Sequence, residues 1–505
     1  MSLAHTLACA AGDFYSHEVG GIRAGFVKVG WRGRRCIWAT GVVALIGLGV
    51  VPASAPSASA AGAPTGPSSG PSLANADGLN VTSEQQLDPR LLAVTFSTAA
   101  LSGPVRARIL LPASYAANPT KRYPVLYLFD GTSGEASDWT TYGQAEQTTA
   151  GLNLIVVMPD ITINGNGGGW CTNSVNGGAN GPPEWETFHI DELIPWVDQN
   201  FRTVASRDGR AIAGLSQGGF CSMSYAAQFP DLFITALAYS GAPDIAYDKV
   251  AQAGATAIIN ATEVGFDQVL PDSLFGDPLT DEINWAAHDP ATLANNLRGL
   301  NLFMYNGNGL PGPLDTSFNP EASFVEGLVG VDNQYFHTRL QSLGIPSYWD
   351  AYGKGTHSWP YWTRDLKQSI GPIMADFAHP PAPPSSVTYT SAAASYSQFG
   401  WTVDLHRSAE EFSTLAAAQR VGFSLSGSGS AVVTTPDLYT PGVRYTVAWH
   451  GTEAKGSSTV TAGQAGQLTL TVPLGPANPF QEDTALAEAT GGTKVYTTTV
   501  AITPA

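Results

Sequence analysis

Charge is what this sequence has least of. Only 13% of its 505 residues are charged, and the basic ones are scarcer, with 24 Lys and Arg against 41 Asp and Glu. The formal charge of −17 argues against a nucleic-acid partner, since a phosphate backbone would be repelled and no basic stripe offsets this. Calcium-loop spacing is missing too. Asp277, Asp281 and Glu282 come nearest to it and lack the alternation of a binding loop. No metal and no cofactor is expected. Long hydrophobic runs are missing except near the start, where Ile37 to Val51 is too short for a comfortable membrane span. Cysteine is rare, with four in the chain.

What is present begins with a targeting pattern. Arg32, Arg34 and Arg35 precede the apolar run, and Ala53-Ser54-Ala55 and Ala58-Ser59-Ala60 offer small-residue cleavage sites. Residues 1–60 are therefore expected to be a signal peptide, and the remainder to be exported. Cys9 and Cys36 leave with it. Cys171 and Cys221 then form an even pair in an oxidising compartment, which favours a disulfide over two separate buried thiols. Cys221 sits one turn past a candidate nucleophile, and Cys171 lies in a loop able to cover it. Residues 61–86 read as a flexible Ala/Gly/Pro/Ser linker. Hydrophobic content of 43% excludes global disorder for the rest.

From residue 87 to 379 apolar strands alternate with helical stretches. Leu92–Phe96 and Val105–Leu111 alternate like antiparallel edge strands. Tyr123–Phe129, Leu154–Met158, Ala211–Ala213, Ala236–Tyr239 and Leu302–Tyr305 read as buried strands, with Ser347–Ala351 as the last. Trp185–Asn200, Phe336–Leu343 and Tyr361–Phe377 read as helices. Residues 164–180 are a glycine-rich loop, and 243–296 reads as an irregular lid. This predicts an α/β fold with a mostly parallel central sheet covered on both faces. Pro380-Pro381-Ala382-Pro383-Pro384 marks a stiff linker over 380–386. Residues 387–505 alternate with period two between Gly, Ser, Pro and Asn, which predicts a small β-sandwich.

Gly214-Leu215-Ser216-Gln217-Gly218 follows one of these strands and opens a helix. Strand, sharp turn and helix are the context that lifts a serine hydroxyl above a sheet as a nucleophile. Such a serine needs a base and the base an orienting acid. His357, in Gly353-Lys354-Gly355-Thr356-His357, follows the last strand and is the expected base. His288 and His337 read as structural. The acid is sought after Leu302–Tyr305, where Asp315 is the first carboxylate and Glu321 the second choice. Oxyanion donors are expected from the N–H of Gln217 and, after the Tyr123–Phe129 strand, the N–H of Thr132.

Tyr123 to Gly131, Trp185-Glu186-Thr187-Phe188, Gly307-Asn308-Gly309 and Thr356-His357-Ser358-Trp359 with Tyr361-Trp362 together resemble the esterase D type of α/β-hydrolases. Within it they are most similar to exported trehalose mycolyltransferases. The resemblance implies the α/β-hydrolase fold over roughly 90–375, with Ser216 as nucleophile and His357 as base. It implies Thr132 and Gln217 as oxyanion donors, Asp130 and Trp359 as sugar-binding residues, and an acyl ester or acylated sugar as substrate. Ser133 stands where the mycolyltransferases carry arginine. Their acid is a glutamate in a shorter loop, where this chain offers Asp315. Their local disulfide has no counterpart, because only Cys171 lies in that loop. A competing reading is a catalytically inert wall-bound protein that binds glycan through the C-terminal domain, with Trp401, Tyr445 and Trp449 as a sugar platform.

Overall fold

The computed structural model describes residues 73–162, 169–176, 183–267 and 269–505. The expected signal peptide lies outside these residues, as does the linker up to residue 72. The central sheet has nine strands: β1 (Asn80–Gln86), β2 (Leu91–Ser97), β3 (Val105–Leu110), β4 (Val125–Phe129), β5 (Ile155–Pro159), β6 (Arg210–Leu215), β7 (Thr235–Tyr239), β8 (Asn301–Asn306) and β9 (Tyr348–Ala351). Their spatial order is β1-β2-β3-β5-β4-β6-β7-β8-β9. Pairing is antiparallel from β1 through β3 to β5 and parallel from β5 to β9. This is the α/β-hydrolase architecture. Strands β4 to β7 are buried at every position, which is why they read as continuous apolar runs.

The linker expectation over 61–86 fails at its C-terminal end. Residues 80–86 form β1, and Leu73 and Leu79 join the main core. Asn-Val-Thr-Ser-Glu-Gln-Gln carries almost no apolar signal because β1 is a solvent-facing edge strand held to β2 by its backbone ladder and by the Thr82 hydroxyl, which donates to the Thr95 carbonyl at 3.1 Å. The expected lid is also more regular than its sequence suggests. It contains α5 (Lys249–Thr262) and α6 (Glu282–His288). Ahead of these run the short α1 (Asp138–Thr141) and α2 (Ala145–Thr148), α3 (Ile194–Asn200) and α4 (Gln217–Gln228). A widened π turn at Thr187–Leu193 leads into α3. After them come α7 (Pro320–Ser342) and α8 (Trp359–Ala378). The helix expected from Phe336 thus begins sixteen residues earlier, where the Asn319 side chain accepts the N–H groups of Glu321 and Ala322 and Pro320 fills the first turn.

β4 sends its connection outward to β5, and β5 returns across it to β6. The chain therefore reverses direction beside β4, and a crevice opens at the carboxyl ends of β4 and β6. Phe129 pairs with Gly214 across these two strands, so the loops that begin at Asp130 and Ser216 meet there.

Residues 387–505 form a separate core between two antiparallel sheets of six and four strands. Asn296 bonds both ways to Thr390, and Tyr389 donates to the Gln228 carbonyl at 2.6 Å, which ties this domain to the end of α4. Trp401 and Tyr445 are buried in its core. This is the ordinary core role for these aromatics, and it takes both rings out of the sugar platform that the competing reading requires.

Candidate active site

Ser216 sits at φ 52°, ψ −121°, a left-handed conformation that costs a non-glycine residue strain. Its N–H donates to the Tyr239 carbonyl at 2.8 Å, which fixes the turn between β6 and α4. The flanking glycines are required by close backbone approach. A Cβ on Gly214 would lie 2.2 Å from the Gly218 carbonyl oxygen, and one on Gly218 would lie 2.2 Å from that of Asp130. Both obstacles are backbone and cannot swing away. Gly218→Ala is expected to cost on the order of 1–3 kcal/mol in urea unfolding and to abolish most turnover, because it pries the Asp130 loop from the nucleophile. A fully active, equally stable variant would refute this.

His357 Nε2 lies 2.8 Å from Ser216 Oγ, and Nδ1 lies 2.8 Å from Glu326 Oε2. With Nδ1–H donated to the carboxylate, Nε2 is left to accept the serine proton. The His357 N–H donates to the Ala322 carbonyl at 3.1 Å, and the ring meets Trp362 edge to face at 5.0 Å. Glu326 is fully buried yet satisfied: Oε1 accepts from Ser240 Oγ at 2.9 Å and from the Gly307 N–H at 2.6 Å.

The carboxylate on the His357 ring is therefore neither of the residues expected from the sequence. Asp315 accepts from the Gly312 N–H at 2.7 Å, from Tyr361 Oη at 2.8 Å and from Thr356 Oγ1. Burial alone would raise its pKa, but these donors outweigh it and hold the carboxyl below its usual range. Asp315 anchors the loop that carries His357 without touching its ring. Glu321 is exposed at the start of α7. Glu326 was missed because the acid was sought in a loop, whereas it arrives on the second turn of a helix. A signal did exist. Ala322, Glu326, Val329, Asn333, Phe336 and Leu340 recur at intervals of four and three and are all buried. A carboxylate on such a stripe needs a partner.

Gln217 opens α4, so its N–H has no acceptor within the helix. Thr132 Oγ1 donates to Gln217 Oε1 at 2.8 Å, locking the two loops that carry the expected oxyanion donors. Ser133 follows at φ 63°. Asp130 is buried. Burial first, and the nearby Asp138 carboxylate second, push its pKa well above the ordinary value. Its Oδ1 accepts the Gly131 N–H at 2.8 Å, and Oδ2 has no partner among the described residues. Trp359 stands at the first turn of α8 against Trp139, Tyr142 and Trp362. It lines an open cavity of about 950 Å³ with Tyr142, Leu314, Lys354 and Tyr361, and neither Ser216 nor Asp130 borders it.

Residues 98–372 match the family model "Esterase: Putative esterase". The chain belongs to this esterase family. Esterase Rv1288 of Mycobacterium tuberculosis strain H37Rv is 35% identical over 274 residues, 53% of this chain and 56% of that protein. The chain thus spans little more than half the length of that relative. The diacylglycerol acyltransferase/mycolyltransferase Ag85C of Mycobacterium avium is 29% identical over 249 residues, 48% of this chain and 67% of its own. The crystal structure of Mycobacterium tuberculosis MPT51 aligns with 55% of this chain and 96% of its own, at 23% identity and a TM-score of 0.44.

Cys171 and Cys221 are disulfide-bonded, with Cα atoms 5.4 Å apart. The bond pins the described part of the 164–180 loop, residues 169–176, to the first turns of α4. Trp170 packs on Phe220 beside it, with ring centroids 5.4 Å apart. Among the described residues no cluster of His, Cys, Asp or Glu is arranged to hold a metal.

Proposed function

We propose that this esterase is an exported serine acyl-ester hydrolase or acyltransferase acting on acylated sugars of the trehalose-mycolate kind. The observation that carries the reading is one imidazole bridging Ser216 and Glu326 at 2.8 Å on each side. Ser216 Oγ attacks the ester carbonyl as His357 Nε2 takes its proton. Glu326 holds the ring in the right tautomer and stabilises the imidazolium. The Gln217 and Thr132 N–H groups receive the developing oxyanion. His357 then protonates the leaving alcohol. Water or a sugar hydroxyl, deprotonated by the same ring, collects the acyl group from Ser216. Similarity to a protein named as a mycolyltransferase supports the sugar-ester substrate. Export rests on the basic and apolar pattern of residues 32–60.

The test is active-site labelling with a fluorophosphonate, followed by a mass-spectrometric assay. Wild type is expected to label on Ser216 and the Ser216→Ala variant not at all. An unlabelled wild type would return the inert glycan-binding reading to contention. The assay presents a long-chain acyl trehalose with and without free trehalose. Acyl product on the added sugar identifies a transferase, and free acid alone identifies an esterase.

A further inference from the structure

Helix α7 has two apolar faces. The inner one carries Glu326 and packs on the sheet. The outer one is a second stripe, Phe324, Leu328 and Val331, at helical spacing and 59, 38 and 50% exposed. A helix on the surface of a water-soluble domain normally turns charge outward. Between Ala322 and Thr338, however, the only carboxylates are Glu326 and Asp332, both buried, and the segment has no Lys or Arg. Leu310 and Phe318, in the loop before the helix, are 55 and 68% exposed. Gly309 packs its backbone against Ser323 and Gly327, where a Cβ would lie 2.2 Å from the Ser323 carbonyl oxygen, which brings Leu310 beside this stripe.

The stripe adjoins the reactive centre. Ala322 holds the His357 backbone, and Glu326 lies between Phe324 and Leu328 in sequence. Resting on the serine-esterase reading, we infer that this face docks on an uncharged lipid surface, and that the enzyme takes its ester from a lipid aggregate. Glu321, exposed one turn before Phe324 at the start of the helix, is the one ionised group on this line; from Phe324 to Val331 the face places none against hydrocarbon and offers none to a protein partner's polar rim. A chain of net charge −17 would be repelled by an anionic surface, which leaves neutral lipid as the occupant.

The test compares the full chain with Phe324→Gln/Leu328→Gln/Val331→Gln, whose exposed positions tolerate a polar helix former. Wild type is expected to co-sediment with phosphatidylcholine vesicles, and to do so equally at about 0.05 and about 0.5 M salt. The triple variant is expected to lose roughly tenfold or more in partitioning and a similar factor on a long-chain ester carried in the vesicles. Turnover of a soluble acetyl ester should stay within about twofold of wild type, as for a surface change. Wild type left in the supernatant, a variant that still binds, or a wild-type dimer dissolved by the substitutions would each overturn the inference. Failure to cleave the soluble ester in both proteins would instead sink the serine-esterase reading, whatever the vesicles show.

Discussion

Glu326→Gln is expected to lower kcat by roughly a thousand- to ten-thousand-fold, against about a million-fold for Ser216→Ala, while Asp315→Asn stays within about tenfold of wild type. The first figure corresponds to about 4–5.5 kcal/mol of barrier. Three donors converge on Glu326: the Ser240 hydroxyl, the Gly307 N–H and the His357 Nδ1–H. An amide of the same shape can accept with only one oxygen and points its own N–H at one of those donors. The imidazole then loses both its tautomeric lock and the negative charge that stabilises its protonated form. A buried donor is orphaned as well, at a cost of about 1–3 kcal/mol in stability. Asp315→Asn keeps most of the contacts to Gly312, Tyr361 and Thr356 and leaves the ring untouched. Steady-state kinetics on a soluble ester, with urea unfolding to separate misfolding from lost chemistry, decide the matter. A larger loss at Asp315 than at Glu326 would reverse the assignment of the acid.

The second large effect concerns stability. Removing the Cys171–Cys221 bond by Cys171→Ala/Cys221→Ala is expected to cost about 2–4 kcal/mol in unfolding free energy. The bond closes a loop of 50 residues. That loop contains β6 and the start of α4, so the unfolded chain gains much freedom when it opens. Both thiol positions are buried, so each alanine leaves little solvent-exposed surface and the entropic cost dominates. Activity should fall less than stability, since no atom of either cysteine touches Ser216, His357 or Glu326. Equilibrium denaturation of the variant beside wild type, with and without reductant, measures this. An unchanged midpoint, or wild type insensitive to reductant after unfolding, would show that the bond contributes nothing.

Much of this protein was legible in its amino-acid order. Buried strands announce themselves as apolar runs, and period-two alternation announces the C-terminal β-domain. Ser216 and His357 stand at turns that local rules pick out, because the constraint on each is a glycine a few residues away. Three-dimensional contact decided the rest. Glu326 lies 31 residues from His357 and meets it only because α7 packs across the carboxyl ends of β7 and β8, where Ser240 and Gly307 are waiting. Polar β1 is a strand only because the edge of β2 offers it a partner. Trp401 and Tyr445 are core and not a platform because of which sheet face they occupy. Sequence determines period and turn chemistry, which are local properties of the chain. Which buried carboxylate finds which imidazole depends on how helices pack over the sheet, and no local pattern encodes that.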